Sequence, residues 1–250
     1  MVKKVINILY IICICVFIYS SYRLVNIYLE YRRGSVEYNE IRNEVEVENR
    51  VENQDADKGI ALPINIDFKK LEKINKDIVG WIYIEASPKI NYPILKGMDN
   101  DFYLRRTYKK TKNIAGSIFI DYRNTGDFMD YNTIIYGHNM KNSTMFSRLE
   151  ELKKNPKETL KKPYIWVITP KNVMVYKIFS IHEEPAISDT YNIIKSKDDE
   201  YYKYARAEAI KNRVSGLNND ANGSRIITLS TCTDNDKVRM VVQARLEDIK

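Results

Sequence analysis

Cysteine and histidine are scarce in this chain. Three Cys and two His in 250 residues are too few for a disulfide framework or a structural zinc site, so neither a metal nor a cofactor is expected. Glycine (9) and proline (7) are also sparse, which excludes collagen-like and Pro/Gly-rich disordered chains. No repeat of about 20 to 50 residues recurs, so a solenoid is excluded as well. The length suits one domain of ordinary size plus extra segments, and a hydrophobic fraction of 44% supplies a core. The net charge of +7 favours an anionic neighbour such as a wall or membrane surface over nucleic acid, which is not an expected partner.

One long apolar run is present. Val5 to Tyr22 carries no charged side chain, after Lys3 and Lys4 and before Arg23. With Leu24, Val25, Ile27, Tyr28 and Leu29 extending it, the run reaches the roughly 20 residues that cross a bilayer. A cleaved signal peptide shares the basic start, but no A-x-A-like site follows, so residues 1–30 read as an uncleaved anchor. A short N-terminus ahead of a long folded domain favours a single pass at the cell membrane with that domain outside. Residues 31–60 hold eight acidic side chains against five basic ones and read as a charged, solvated stalk without a core of its own. Most of the positive charge therefore lies in residues 61–250, the expected folded domain.

That domain reads as mainly β. Gly80–Ile84, Ile90–Leu95, Ser117–Ile120, Thr133–Tyr136, Tyr164–Ile168, Val173–Ile181, Ile226–Thr231 and Val238–Leu246 are rich in β-branched and aromatic residues. The last alternates apolar and polar residues, which predicts a half-buried strand. Helical patterns fall around Asp67–Asn75, Asp99–Arg105, Ser143–Lys154 and Asp198–Val214. An eight-stranded barrel with peripheral helices leaves no exposed edge.

Cys13 and Cys15 lie in the apolar run, so Cys232 is the one cysteine of the folded domain. A lone thiol outside the cytoplasm is either buried and inert or kept for its reactivity. Cys232 ends a predicted strand just before the polar turn Thr233–Lys237, a place suited to meeting a ligand. A thiol nucleophile needs an imidazole or cation beside it. His138 ends the strand Thr133–Tyr136 after Gly137, whereas His182 precedes Glu183, Glu184 and Pro185 and reads as a surface histidine. An oxyanion needs donors, for which Arg239 is nearer in sequence to Cys232 than is Arg245. These residues leave three readings open: a transpeptidase, a cell-surface cysteine peptidase, and a tethered wall-binding domain that leaves Cys232 unexplained.

Thr228-Leu229-Ser230-Thr231-Cys232 resembles the TLxTC signature of sortases, and Tyr136-Gly137-His138-Asn139-Met140 is similar to the histidine segment of class B sortases, membrane-anchored cysteine transpeptidases of Gram-positive bacteria. Gly80-Trp81, Asn91-Tyr92-Pro93, Asp99-Asn100-Asp101, Gly116-Ser117-Ile118-Phe119, Asp121-Tyr122-Arg123-Asn124 and Met145-Phe146 resemble the class B pattern in the same order. Arg239-Met240-Val241-Val242 resembles the strand that bears the family's arginine. The resemblance implies a sortase β-barrel in which the helix Asp198–Val214 is the class B insertion. It implies Cys232, His138 and Arg239 as catalytic residues and Asn100, Leu104, Tyr136, Tyr191 and Ser230 as substrate contacts. The implied reaction cleaves an NPxTx or PxTG-like sorting motif of a secreted protein through a Cys232 thioester. The protein is then passed to a peptidoglycan amine, which anchors it to the cell wall.

Overall fold

The computed structural model describes residues 2–47, 63–218, 220, 221, 223–232 and 237–250. Its first element is one long helix, α1 (Val2–Val45). The apolar part of α1, with a mean hydropathy of 2.1 over 18 residues and none of that stretch buried, is long and apolar enough to cross a membrane. The second part behaves differently. Gly34, Tyr38, Ile41 and Val45 are buried, and their spacing of three and four residues makes one helical stripe. The Tyr38 hydroxyl donates to the Gly116 carbonyl at 2.7 Å, and its ring meets Tyr92 edge-on at 5.4 Å. The solvated stalk expected for 31–60 is therefore corrected over residues 34–45, because net composition hides a narrow apolar face. Residues 48–60 of that expectation lie outside the described residues.

A short ribbon, β1 (Glu46–Val47) with β2 (Asn65–Ile66), leads to α2 (Phe68–Ile74), whose first turn is capped by Asp67 accepting from the Lys70 amide at 3.1 Å. The remaining strands are β3 (Ile78–Ile84), β4 (Asn91–Lys96), β5 (Ile118–Ile120), β6 (Asn132–His138), β7 (Tyr164–Ile168), β8 (Val173–Pro185), β9 (Ile226–Cys232) and β10 (Val238–Ile249). They close into an eight-stranded barrel in the order β10-β8-β7-β3-β4-β5-β6-β9, so no barrel edge is left unpaired. Each of the eight predicted strands is present. Two pairs, β4–β5 and β6–β9, are parallel, and the others are antiparallel. Between β6 and β7 lie α3 (Leu149–Lys154) and α4 (Pro156–Lys161); between β8 and β9 lie a single 3-10 turn (Asp189–Tyr191) and α5 (Asp199–Ile210). The helix expected at Asp99–Arg105 is reduced to one 3-10 turn, Tyr103–Arg105.

Two cores hold the barrel. The inner one is filled by side chains such as Trp81, Ile94, Ile134 and Leu229. The outer one forms under α5, where Tyr201, Tyr204, Ala205 and Ala209 meet Phe179 and Ile226 on the outside of the strands. This second layer corrects the half-buried expectation for β10, since Met240 to Arg245 is buried on both faces. Gln243, on the supposed solvent face, donates to the Tyr204 hydroxyl at 3.1 Å instead.

Candidate active site

The site lies at the rim where β6 and β9 end and β10 begins. In the parallel β6–β9 ladder Tyr136 pairs with Ser230 and His138 with Cys232. In the antiparallel β9–β10 ladder Ser230 pairs with Val241, and the Met240 amide donates to Thr231 Oγ1 at 3.0 Å. These bonds bring the start of β10, with Arg239, alongside the end of β9. Cys232, His138 and Arg239 thus stand on three neighbouring strands.

His138 is held by the loop before β5. Its Nε2 lies 2.5 Å from the Leu104 carbonyl oxygen. A carbonyl only accepts, so Nε2 carries the proton and Nδ1 holds the lone pair of the neutral ring. Two glycines allow this approach. Gly116 has φ +56°, and a Cβ there would sit 2.3 Å from the Leu104 carbonyl oxygen itself. Gly137 lies against the side chains of Ile118 and Phe146, where a Cβ would meet Ile118 Cδ1 at 2.4 Å. Glycine at both positions is therefore a steric requirement.

The expected substrate contacts form one connected wall. Asn100 accepts from the Tyr122 amide (3.0 Å) and donates to Asp121 (3.1 Å), and the Tyr136 hydroxyl donates to the same Asp121 oxygen at 3.0 Å. The Tyr136 ring stacks with Tyr191 at 6.4 Å, and the Tyr191 hydroxyl is 3.1 Å from Ser230 Oγ. The Arg239 guanidinium carbon lies 5.9 Å from the Tyr191 ring centre, and Arg239 Nε is buried without a hydrogen-bond partner among the described residues. Arg245 is already engaged: its Nε donates to Glu247 at 2.7 Å and its Nη1 to the Asp220 carbonyl.

Sequence reasoning gave no role to Asp121 and Arg123, although both sit in a quoted motif run. Asp121 is fully buried and receives two hydrogen bonds from Arg123, each of 2.8 Å. Burial raises its carboxyl, but the Arg123 bonds outweigh this and hold it below the usual carboxylate range. His182 was misread. It is 1% exposed, because β8 runs on to Pro185 and the α5 segment covers it. Its Nδ1 is 3.1 Å from Ser180 Oγ, and Glu184, Glu208 and Lys211 surround it. Among the described residues no group of three or more His, Cys, Asp and Glu is arranged to hold a metal ion.

Comparison with known proteins agrees with this geometry. Residues 82–247 match the model of the sortase domain. The chain is 39% identical to sortase B of Listeria monocytogenes over 191 residues, covering 72% of this chain and 74% of that one. It is 31% identical to sortase B of Staphylococcus aureus over 251 residues, covering 98% and 97%. The solved Staphylococcus aureus sortase B–substrate complex superposes with a TM-score of 0.64 at 32% identity, covering 72% of this chain and 84% of that one. The same protein solved with a ligand of three glycines gives 0.62 at 33%, covering 72% and 85%.

Proposed function

Because the chain belongs to the sortase family, as a class B member and a cysteine transpeptidase, we propose that Cys232 is its nucleophile, His138 its acid-base partner and Arg239 the cation that steers the scissile carbonyl. The Cys232 thiolate attacks the carbonyl carbon of the sorting motif, and the tetrahedral oxyanion is stabilised by the Arg239 fork. The C–N bond breaks as His138 gives its proton to the leaving amine, and a thioester remains. An acceptor amine then attacks the thioester, loses a proton to His138 and expels the thiolate.

The observation that carries this reading is the β6–β9 register, in which His138 is the Cα partner of Cys232. Support for Arg239 over Arg245 comes from their partners. A buried Nε without a bond suits a group that awaits a substrate oxygen, while Arg245 is saturated. Asn100, Leu104, Tyr136, Tyr191 and Ser230 form the wall against which the motif lies, of the NPxTx or PxTG type. The acceptor is a peptidoglycan amine, in keeping with the three-glycine ligand of the Staphylococcus aureus relative.

Residues 5–22 of α1 anchor the protein as a single pass, with the catalytic domain outside. A groove of about 1210 Å³ between α1 and the barrel supports this placement, since Arg23 at the end of the apolar run and His138 both line it. The catalytic domain then includes the second part of α1 as well as residues 61–250.

The test is mass spectrometry of the full chain in detergent with NPxTx and PxTG peptides, with and without wall-type amines. The expected result is an acyl-enzyme on Cys232 and diversion of product from acid to amide by millimolar amine. An effective molarity from positioning is what lets an amine compete with water at about 55 M. Only the hydrolysed acid across all amines, or turnover by a folded Cys232→Ala protein, would overturn the proposal.

A further inference from the structure

Behind the proposed groove, β8, α5 and the turn Asp189–Tyr191 enclose a set of charges that the transfer reaction does not use. Lys211 Nζ donates at 2.8 Å to each of Glu184 Oε1, Glu208 Oε1 and Thr190 Oγ1. All three of its N–H bonds are thereby committed. Thr190 accepts from Lys211, so its own proton goes to Glu208, whose carboxylate oxygens lie 2.9 and 3.1 Å away. His182 Nε2 faces the same carboxylates, 3.7 Å from Glu208 and 3.9 Å from Glu184. Glu208 is 1% exposed and Thr190 0%.

Charges buried in this way are a poor source of stability, because well-packed apolar side chains often replace them without loss. A satisfied buried network does hold its members in one arrangement. Here the member held is residue 190. Its side chain is gripped by Glu208 and Lys211, and its carbonyl receives the Tyr204 hydroxyl at 3.0 Å and Asn132 Nδ2 at 3.3 Å. The next residue is Tyr191, which stands against Ser230, Tyr136 and Arg239. Glu184 is also the direct partner of Arg239 in the β8–β10 ladder.

We propose that Glu208, acting through Lys211 and Thr190, is a positioning residue that sets Tyr191 as the wall of the peptide groove and so governs how tightly the motif binds. This rests on the assignment of Tyr191 to the groove. No other buried cluster of charges touches the turn that carries it.

The test is a double-mutant cycle on the full chain in detergent, with steady-state kinetics on whichever of the NPxTx and PxTG peptides is turned over. Glu208→Gln keeps the shape and removes the charge. It is expected to raise KM about tenfold, to change kcat by less than about threefold, and to leave iodoacetamide alkylation of Cys232 unchanged. Tyr191→Ala is expected to raise KM at least as much, and adding Glu208→Gln to it should raise KM no further. If the two effects multiply, or if Tyr191→Ala raises KM while Glu208→Gln does not, the positioning role is wrong. If Tyr191→Ala itself leaves KM unchanged, the groove assignment is the part that fails, and the positioning role goes with it. Should Glu208→Gln not fold, Thr190→Val carries the same cycle, since it removes only the hydroxyl that links the charges to the turn.

Discussion

Gly137 immediately precedes His138 in β6, and the smallest possible change there tests how the barrel holds the histidine. In Gly137→Ala the new Cβ would lie 2.4 Å from Ile118 Cδ1 and 2.7 and 2.8 Å from Phe146 Cγ and Cδ2. Carbon atoms in contact sit about 3.5 to 4.0 Å apart, so Ile118 must retreat by more than about 1 Å. Neither neighbour has solvent to move into, both being 0% exposed, and Ile118 is tied into the β4–β5 ladder opposite Ile94. Overpacking of this kind costs about 1 to 3 kcal/mol, and three simultaneous clashes put the change in the upper half of that range. For a chain of this size the Tm should fall by about 4 to 12 °C. A backbone shift of about 1 Å at His138 should also lower transpeptidation about a hundredfold. Ile118→Val removes the atom of closest approach. Alone it should cost about 0.5 to 1.5 kcal/mol, but combined with Gly137→Ala it should give back about 1 kcal/mol of the loss. Thermal unfolding of the four proteins by circular dichroism, with rates on the motif peptide, measures all of this. A Gly137→Ala protein within about 2 °C of the parent and fully active, or no coupling with Ile118→Val, would refute the steric account.

Arg239→Lys keeps the charge and loses the planar fork, so turnover should fall about a hundredfold, whereas Arg245→Lys should change it little; the reverse order in a peptide-cleavage assay would move the role to Arg245. A soluble protein beginning near residue 31 should be more stable to urea than one beginning near 61, because Tyr38, Ile41 and Val45 are buried on the barrel; at about 1.5 to 3 kcal/mol for each large side chain, the gap should be several kcal/mol. Burial pushes the His182 imidazole down from 6.5 to about 4. Between those values the unfolded state binds the proton first, so stability is lost as pH falls, by up to about 3 kcal/mol. Glu208, whose carboxyl burial raises, works in the opposite direction. Replacing His182 by Gln should therefore flatten the fall in urea-unfolding free energy between about pH 7 and 4.5, and an unchanged slope would contradict the assignment.

The eight barrel strands were legible because β-branched and aromatic runs are separated by turns, and because a lone cysteine and a lone rim histidine stand out from a background nearly free of both. What depended on tertiary packing was not. The outer face of β10 looked solvated until α5 laid Tyr204 over Gln243. His182 looked exposed because Glu183, Glu184 and Pro185 follow it, yet β8 continues through them under the α5 segment. The stripe Gly34, Tyr38, Ile41 and Val45 was masked by the charge that fills the rest of its turns. Arg239 and Arg245 could be ranked by spacing alone, and only their hydrogen bonds separate them.

The chain topology explains why three residues so far apart in sequence meet at one rim. In a parallel pair both strands end at the same edge, so His138 and Cys232, each the last residue of its strand, arrive side by side. An antiparallel β6–β9 pair would put them at opposite ends of the barrel. β10 runs antiparallel to β9 and therefore starts where β9 stops, which brings its second residue, Arg239, to the same edge. The proposed reacting groups are thus carried by the hydrogen-bonded ladder of a closed barrel. Tyr191 instead sits on the excursion between β8 and β9, where no ladder holds it. A side chain placed there needs another constraint to keep one position, and the buried Lys211, Glu208 and Thr190 contacts are the bonds within reach of that turn. The proposed chemistry and the proposed fit to the motif are in this way supported by different parts of the fold, so changes in the excursion can alter which peptide binds without moving His138 relative to Cys232.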